Sequence, residues 1–179
     1  METEAITEAL GAALFTEDGA SAFAVIDGAS VQGLLDKLYG LQPEFACLYR
    51  GELAPDMAEV APYLVRLERA SEFADWLVSE GWGKHWGVFA LAHASLREMR
   101  RHFRSFLTVY DSEGKPLLFR YYDPRVLRVY LPTCDARELE TIFGPVGAYL
   151  LEGVDPGDLL RFELSSGALQ QRTKPLAPG

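Results

Sequence analysis

Short apolar runs and helically spaced apolar positions alternate along the first hundred residues. The runs predict buried strands at 22–27, 45–49, 63–67 and 86–91. Apolar residues at helical spacing, together with turn and cap signals, predict helices at about 4–17, 31–39, from Pro55, 72–81 and 96–106. This alternation predicts an α/β fold, a mixed β-sheet with helices packed on it.

A hairpin is predicted near 106–122, because the apolar stretches 107–110 and 117–122 flank a loop that contains glycine. We expect this hairpin to add an antiparallel edge to the sheet. Beyond it, the sequence predicts helices that begin at Pro124 and Asp135, and short strands at 147–151, 159–164 and 169–172. We expect a single domain over 1–173, and disorder in the Pro-containing tail 174–179.

Side chains that can accept backbone N–H bonds mark several helix starts. Ser30 and Ser71 each precede a helical apolar pattern and are predicted N-caps. Ser95 and Glu98 have the spacing of a capping box. Asp123 stands before a proline and is well placed as an N-cap, so capping alone is sufficient to explain it.

The composition is that of a folded domain, with 179 residues of which 49% are apolar and 24% are charged. Cys47 and Cys134 are too far apart for a CxxC motif, so a reducing compartment is predicted. No apolar run reaches the ~18 residues of a membrane span, and the acidic start Met1–Glu4 is unlike a secretory signal. We therefore expect a cytoplasmic protein that does not insert into a membrane.

Charge is unevenly distributed along the chain. It has 17 basic and 26 acidic residues, for a net charge of −9. Residues 1–83 carry −11, residues 84–128 carry +5, and residues 129–179 carry −3. The net charge and the lack of a recognition motif oppose nucleic acid as a partner of the one basic segment.

Four arginines within eight residues dominate this basic segment: Arg97, Arg100, Arg101 and Arg104. They form either the solvated face of an amphipathic helix or, together with Arg120, Arg125 and Arg128, a patch for an acidic partner. A protein fits the second interpretation, because arginine is enriched in interface cores. Strand alternation would place Arg120 on one face with Leu118 and Tyr122, so it needs a carboxylate in this chain or in another protein.

Trp82 and Trp86 lie four residues apart among glycines. One interpretation is a tight helix-to-strand turn packed under buried aromatic rings. Partial exposure would instead make them apolar anchors for a bound segment. Both tryptophans are therefore included among the candidate partner-binding residues.

Several enzyme signatures come close and fail. Gly81–Lys84 is similar to a phosphate loop, but Val78 replaces its first glycine and His85 replaces the Ser or Thr. The histidines lack metal-ligand spacing, and no serine lies in a GxSxG elbow, so we predict no catalytic residue, cofactor or metal. The alternative is an enzyme for a phosphorylated or carboxylated small molecule, with a cleft near His85, Asp123 and Arg125.

Four sequence blocks together resemble a bacterial family: Ala24–Ala29, Val60–Val65, Gly81–Gly87 and Phe119–Leu127. Over about residues 22–150 the chain is similar to the "domain of unknown function 4123" group, the type VI secretion adaptors also called effector chaperones of the Tap or TEC type. The resemblance implies a cytoplasmic, non-catalytic chaperone that binds a toxic effector and loads it onto the VgrG spike. It assigns no binding residues.

The adaptor hypothesis places charge-assisted contacts at the arginines and apolar anchoring at Trp82 and Trp86. Besides the small-molecule enzyme, a third hypothesis is an immunity protein that neutralises a toxin, since small size and acidic character fit that class as well. Gene order would separate an immunity protein from an adaptor, because immunity genes usually follow the toxin gene.

Overall fold

The computed structural model describes residues 2–16 and 18–176. Within these residues the chain forms seven α-helices: α1 (Glu2–Leu14), α2 (Leu34–Leu41), α3 (Pro55–Val60), α4 (Glu72–Gly81), α5 (Leu96–Ser105), α6 (Pro124–Tyr130) and α7 (Ala136–Phe143). The same residues form nine strands: β1 (Ser21–Asp27), β2 (Phe45–Cys47), β3 (Pro62–Leu67), β4 (Gly87–Ala92), β5 (Thr108–Tyr110), β6 (Pro116–Leu118), β7 (Val146–Glu152), β8 (Asp158–Ser165) and β9 (Ala168–Pro175).

Seven strands form one sheet in the order β2-β3-β1-β4-β7-β8-β9. All of its pairings are antiparallel, and Ala24 of β1 lies opposite Val65 of β3 and Phe89 of β4. Strand β7 pairs with β4, so the C-terminal strands extend the sheet that the first half of the chain begins.

Helices cover both faces of this sheet. Alternation along β1 directs Ala22, Ala24 and Ile26 into the core under α1, α2 and α4. Phe23 and Val25 point into the core under α5, α6 and α7. Because both faces are buried, the central strands read as continuous apolar runs. The predicted α/β fold with helices packed on the sheet is confirmed, although the sheet is antiparallel throughout and not mixed.

The predicted helix caps are confirmed at three of the four positions. Ser71 accepts the N–H of Ala74, Ser95 and Glu98 form a reciprocal capping box, and Asp123 caps α6. The prediction for Ser30 is wrong, because a 3₁₀ turn occupies Gly28–Ser30 and α2 begins only at Leu34. The Ser30 hydroxyl instead donates to Asp27 Oδ2 at 2.8 Å.

The predicted antiparallel hairpin is confirmed as β5 and β6, which pair at Thr108 and Leu118. It forms a two-stranded sheet of its own and does not join the edge of the main sheet.

Order extends further into the C-terminal tail than predicted. Strand β9 runs to Pro175, and Leu176 is buried, with its N–H donating to the carbonyl oxygen of Gly157 at 2.8 Å. The prediction of disorder is therefore wrong for 174–176, and residues 177–179 lie outside the described residues. Among the described helices the longest, α1, has 13 residues, and none combines the length and hydropathy of a membrane span.

Candidate functional site

Helix α5 holds the arginine-rich segment in a fixed orientation. The N–H of Ser95 donates to the Glu98 carboxylate at 2.8 Å, and the N–H of Glu98 donates to the Ser95 hydroxyl at 3.3 Å. This capping box fixes where the helix begins. Met99 and Phe103 are fully buried on the sheet side and set the rotation of the helix. The opposite side of α5 therefore faces away from the core.

The four arginines of α5 occupy positions i, i+3, i+4 and i+7, which lie on one face of a helix. Arg97, Arg100 and Arg101 are exposed, and their side chains make no hydrogen bond or ion pair with any residue that the structure describes. We call these three residues the arginine face. They are charged side chains without an ion-pair partner among the described residues.

Arg104 differs from the other three, because its guanidinium is occupied within the chain. It donates to the carbonyl oxygens of Cys47, Leu48 and Tyr49 at 3.0, 3.0 and 2.8 Å. Burial, then the nearby charges of Arg100 and Arg50, lower the pKa of Arg104 from its ordinary value. Arg104 thus positions the segment after β2, whereas the side chains of the arginine face have no hydrogen-bond or ion-pair partner among the described residues.

Arg120 and Arg125 differ from the arginine face, because each forms an ion pair within the chain. They belong to a group of acidic and basic side chains at one end of the sheet, which we call the charged cluster: Asp27, His85, Arg120, Asp123, Arg125 and Glu152. Strands β1 and β7 end at Asp27 and Glu152, and β4 begins two residues after His85. Antiparallel order brings these strand ends together.

The carboxylate that Arg120 requires lies within the chain. Its Nη2 donates to Oδ2 of Asp27 at 2.5 Å, and Asp27 is only 2% exposed. Burial lowers the pKa of Arg120, but the hydrogen bond to Asp27 and the charge of Asp27 together raise it by more, so that the pKa lies above its ordinary value. The predicted alternation of Arg120 with Leu118 and Tyr122 is wrong, because β6 ends at Leu118 and a turn follows.

Asp123 and Arg125 form a second pair in the charged cluster. The Asp123 carboxylate accepts the Arg125 backbone N–H at 2.9 Å and the guanidinium Nε and Nη2 at 3.0 and 2.8 Å. Burial raises the pKa of the Asp123 carboxyl, but the hydrogen bonds from Arg125 outweigh it and hold that pKa below its ordinary value. Asp123 therefore caps α6, as predicted, and also binds Arg125.

Glu152 binds the loop between α4 and β4. Its Oε1 accepts the backbone N–H groups of Gly83 and His85 at 2.9 and 3.2 Å, and its Oε2 lies 2.6 Å from His85 Nδ1. Because a carboxylate only accepts, Nδ1 carries the proton. His85 has a φ of 60°, in the left-handed region that is uncommon for residues other than glycine. Glu152, 3% exposed, thus holds this loop in a strained conformation.

Trp82 and Trp86 are half-buried and already have partners in the fold. The indole N–H of Trp82 donates to the carbonyl oxygen of Pro156 at 2.7 Å, and its ring stacks on Phe89. The Trp86 ring packs on Trp76, with a centroid distance of 5.3 Å. Their main contacts are therefore internal, although each keeps some exposed surface.

The residues of the alternative enzyme hypothesis separate into two pairs. Asp123 binds Arg125, whereas the side chain of His85 binds Glu152. The apolar cavity beside Glu152, which Trp82 lines, has a volume of about 10 Å³. Small-molecule sites have volumes of roughly 300–1,000 Å³, so this cavity is too small for a substrate.

Asp27 and Glu152 belong to the charged cluster, although no sequence motif predicts a role for either. Each is an acidic residue at the end of an apolar run. This position is the one sequence signal that could have indicated a carboxylate at the end of a buried strand. The partners lie 93 residues from Asp27 and 67 residues from Glu152, beyond any local pattern.

Comparison with known proteins gives one family. The model of the family described as "Domain of unknown function (DUF4123)" matches residues 22–141, about two thirds of the chain. Searches of curated proteins and of solved structures found no significant match. The matched range contains the whole of α5 and every member of the charged cluster except Glu152.

Proposed function

Because the chain belongs to the DUF4123 family, we propose that it is a non-enzymatic adaptor of a bacterial type VI secretion system. In this proposal it binds one cognate toxic effector in the cytoplasm and loads that effector onto the VgrG spike. The proposal rests on the resemblance of the four sequence blocks to adaptors of this kind. An adaptor of this kind requires a surface that binds another protein.

The observation that carries the proposal is the arginine face of α5. Six basic side chains form ion pairs with carboxylates of the described residues: Arg66, Lys84, Arg120, Arg125, Arg161 and Arg172. The arginine face lacks such partners among the described residues, although the chain carries a net charge of −9. Exposed, unpaired arginines can steer and bind acidic partners.

The arrangement of the charged cluster also supports a role other than catalysis. Each of its buried carboxylates is bound to a basic side chain or to backbone N–H groups within the chain. Asp27 and Glu152 connect segments that are far apart in sequence, and the four sequence blocks of the resemblance meet there. The N–H of Asp27 donates to the Trp86 carbonyl, and the N–H of Gly28 donates to the Ala61 carbonyl. The cluster therefore acts as a structural junction.

Co-purification tests the proposal. The tagged chain is expressed in its native bacterium, and the proteins encoded beside its gene are followed by mass spectrometry and size-exclusion chromatography. We expect a complex with the effector, and a larger complex when the VgrG spike is present. Finding neither protein with the correctly folded chain would contradict the adaptor role.

A toxicity assay separates the adaptor from an immunity protein. Cells that produce the effector are grown with and without this chain, in the absence of the secretion apparatus. An adaptor leaves most of the toxicity in place or merely delays it, whereas an immunity protein restores growth completely. Complete protection together with no binding to the spike would support the immunity hypothesis instead.

A further inference from the structure

A groove lies between the segment after β2, the end of α5 and the root of the β5–β6 hairpin. Its volume is about 360 Å³. Leu118 and three other leucines line it, together with Tyr49, Thr108, Arg50 and Arg104. Four leucines and a tyrosine make its wall largely apolar, and the two arginines give it positive charge.

The hairpin beside the groove exposes apolar side chains on both strands. Tyr110 is 70% exposed and Leu118 is 47% exposed, and strand alternation places both on the hairpin face that carries Thr108 of the groove. Val109 and Leu117 are exposed on the opposite face. A two-stranded sheet is marginally stable alone, and exposed apolar groups on such an element mark a contact site. The groove and hairpin therefore offer an apolar surface that the described residues of the fold leave open.

The hairpin is already ordered without a partner. At its tip, Asp111 Oδ1 accepts the N–H groups of Glu113 and Lys115, both at 2.9 Å. At its root, the Phe119 N–H donates to the Leu107 carbonyl at 2.8 Å. A preorganised surface avoids part of the entropy cost of binding.

The charged side chains that line the groove, Arg50 and Arg104, are both basic. Arg50 and Arg100 lie close enough to Arg104 for their charges to act on it, and no carboxylate of the described residues forms an ion pair with any of the three. A ligand for this site must therefore supply negative charge. A net charge of −9 on the protein opposes nucleic acid, and an apolar groove wall suits a polypeptide better.

The arginine face leads into this groove. Arg97 and Arg104 are seven positions apart on α5, which corresponds to about 10 Å along the helix. Three residues of an extended chain cover the same distance at about 3.3 Å each. One extended segment can thus contact the arginine face and the apolar groove at the same time.

We propose that the groove and the arginine face together form the docking site for an extended segment of the effector, with apolar side chains in the groove and acidic side chains along α5. This inference rests on the proposed adaptor function, since it names the part of the partner that binds. It adds a testable sequence requirement: several Asp or Glu residues next to apolar ones, in a stretch of about eight residues.

Site-specific photo-crosslinking in the native bacterium tests this proposal. The photoreactive residue p-benzoylphenylalanine is placed at Thr108, inside the groove, and in a control protein at Gln170, which is exposed on β9. Mass spectrometry identifies the peptide attached to each. We expect the Thr108 probe to capture an acidic and apolar segment of the effector, and the Gln170 probe not to capture that segment.

Affinity measurements provide the second readout. Leu118→Asp places a carboxylate in the groove, and Val154→Asp makes the same change at an exposed position elsewhere. Circular dichroism checks that both variants fold. We expect Leu118→Asp to weaken binding of the purified effector about tenfold or more, with Val154→Asp unchanged.

Each outcome separates the docking site from the adaptor role. Suppose that the effector co-purifies, but that the Thr108 probe captures no peptide, or captures either an effector segment without acidic residues or a second copy of this chain. Any of these results overturns the docking site and leaves the adaptor role standing. Equal affinities for Leu118→Asp and Val154→Asp would also overturn it. If no effector co-purifies with the unaltered chain, the adaptor role fails and the docking site fails with it.

Discussion

The ion pair between Asp27 and Arg120 gives the sharpest test of the charged cluster as a structural junction. The Asp27 carboxylate is buried and accepts hydrogen bonds from the Ala29 N–H at 3.1 Å, the Ser30 hydroxyl at 2.8 Å and Arg120 at 2.5 Å. The Arg120 side chain is 46% exposed. Removing Arg120 thus leaves a buried carboxylate with two donors, while removing Asp27 leaves an arginine that water can solvate.

The structure sets the size of each effect. Losing one partner of a fully buried ion pair costs about 3–5 kcal/mol, and the exposure of Arg120 reduces our expectation for Arg120→Ala to about 2 kcal/mol. Asp27→Ala loses the bonds from Ala29 and Ser30 as well, so we expect about 3 kcal/mol. Once the carboxylate is gone, losing Arg120 costs nothing further. The double variant should also cost about 3 kcal/mol, which is a coupling of about 2 kcal/mol.

Urea unfolding followed by circular dichroism measures these free energies for the unaltered chain, the two single variants and the double variant. Arg97→Ala is the matched control, because Arg97 is exposed and unpaired among the described residues, and it should change stability by less than about 0.5 kcal/mol. Single costs that add within about 0.5 kcal/mol in the double variant would refute the coupling, and with it the junction role of this pair.

Three further predictions concern other parts of the fold. Arg104→Ala should lower the free energy of unfolding by about 2 kcal/mol, because three carbonyl groups lose a charged donor, whereas Arg100→Ala should leave it unchanged in the same urea assay. Burial holds the pKa of His102 below its ordinary value of 6.5, so the unfolded chain binds a proton at this histidine more tightly than the folded chain does. Thermal unfolding should therefore show stability falling as the pH drops below 6.5, and His102→Gln should flatten this dependence. A side chain at Gly87 would clash with the backbone carbonyl of Val25, so Gly87→Ala should cost about 2 kcal/mol or more and lower the melting temperature; an unchanged melting temperature would contradict this.

Much of the fold could be predicted because its signals are local. The caps at Ser71, Ser95 and Asp123 need partners only two or three residues away, so a short sequence window contains the whole interaction. The central strands carry apolar residues on both faces, which gave continuous apolar runs. The prediction at Ser30 is wrong because its hydroxyl can either cap a helix or bind the nearby Asp27. The path of the backbone after Ser30 decides between these two roles.

The candidate site was less predictable because its partners are distant in sequence. The sequence predicts that Arg120 needs a carboxylate, but Asp27 stands 93 residues away. Helical spacing places Arg104 on the same face as Arg97, yet the residues of β2 and the segment after it decide that Arg104 binds backbone carbonyls. Periodicity shows which side of an element a residue occupies, whereas the packing of other elements determines what it contacts.

The affinity of the effector for a variant of the arginine face tests the central claim most directly. The variant Arg97→Glu, Arg100→Glu, Arg101→Glu reverses the face and spares Arg104, and Arg137→Glu is the control at an exposed arginine on α7. We predict that the triple variant keeps its fold and binds the effector about a hundredfold more weakly, that the control binds normally, and that added salt weakens binding to the unaltered chain. An equal dissociation constant for the triple variant and the unaltered chain would contradict the claim that this face holds the partner.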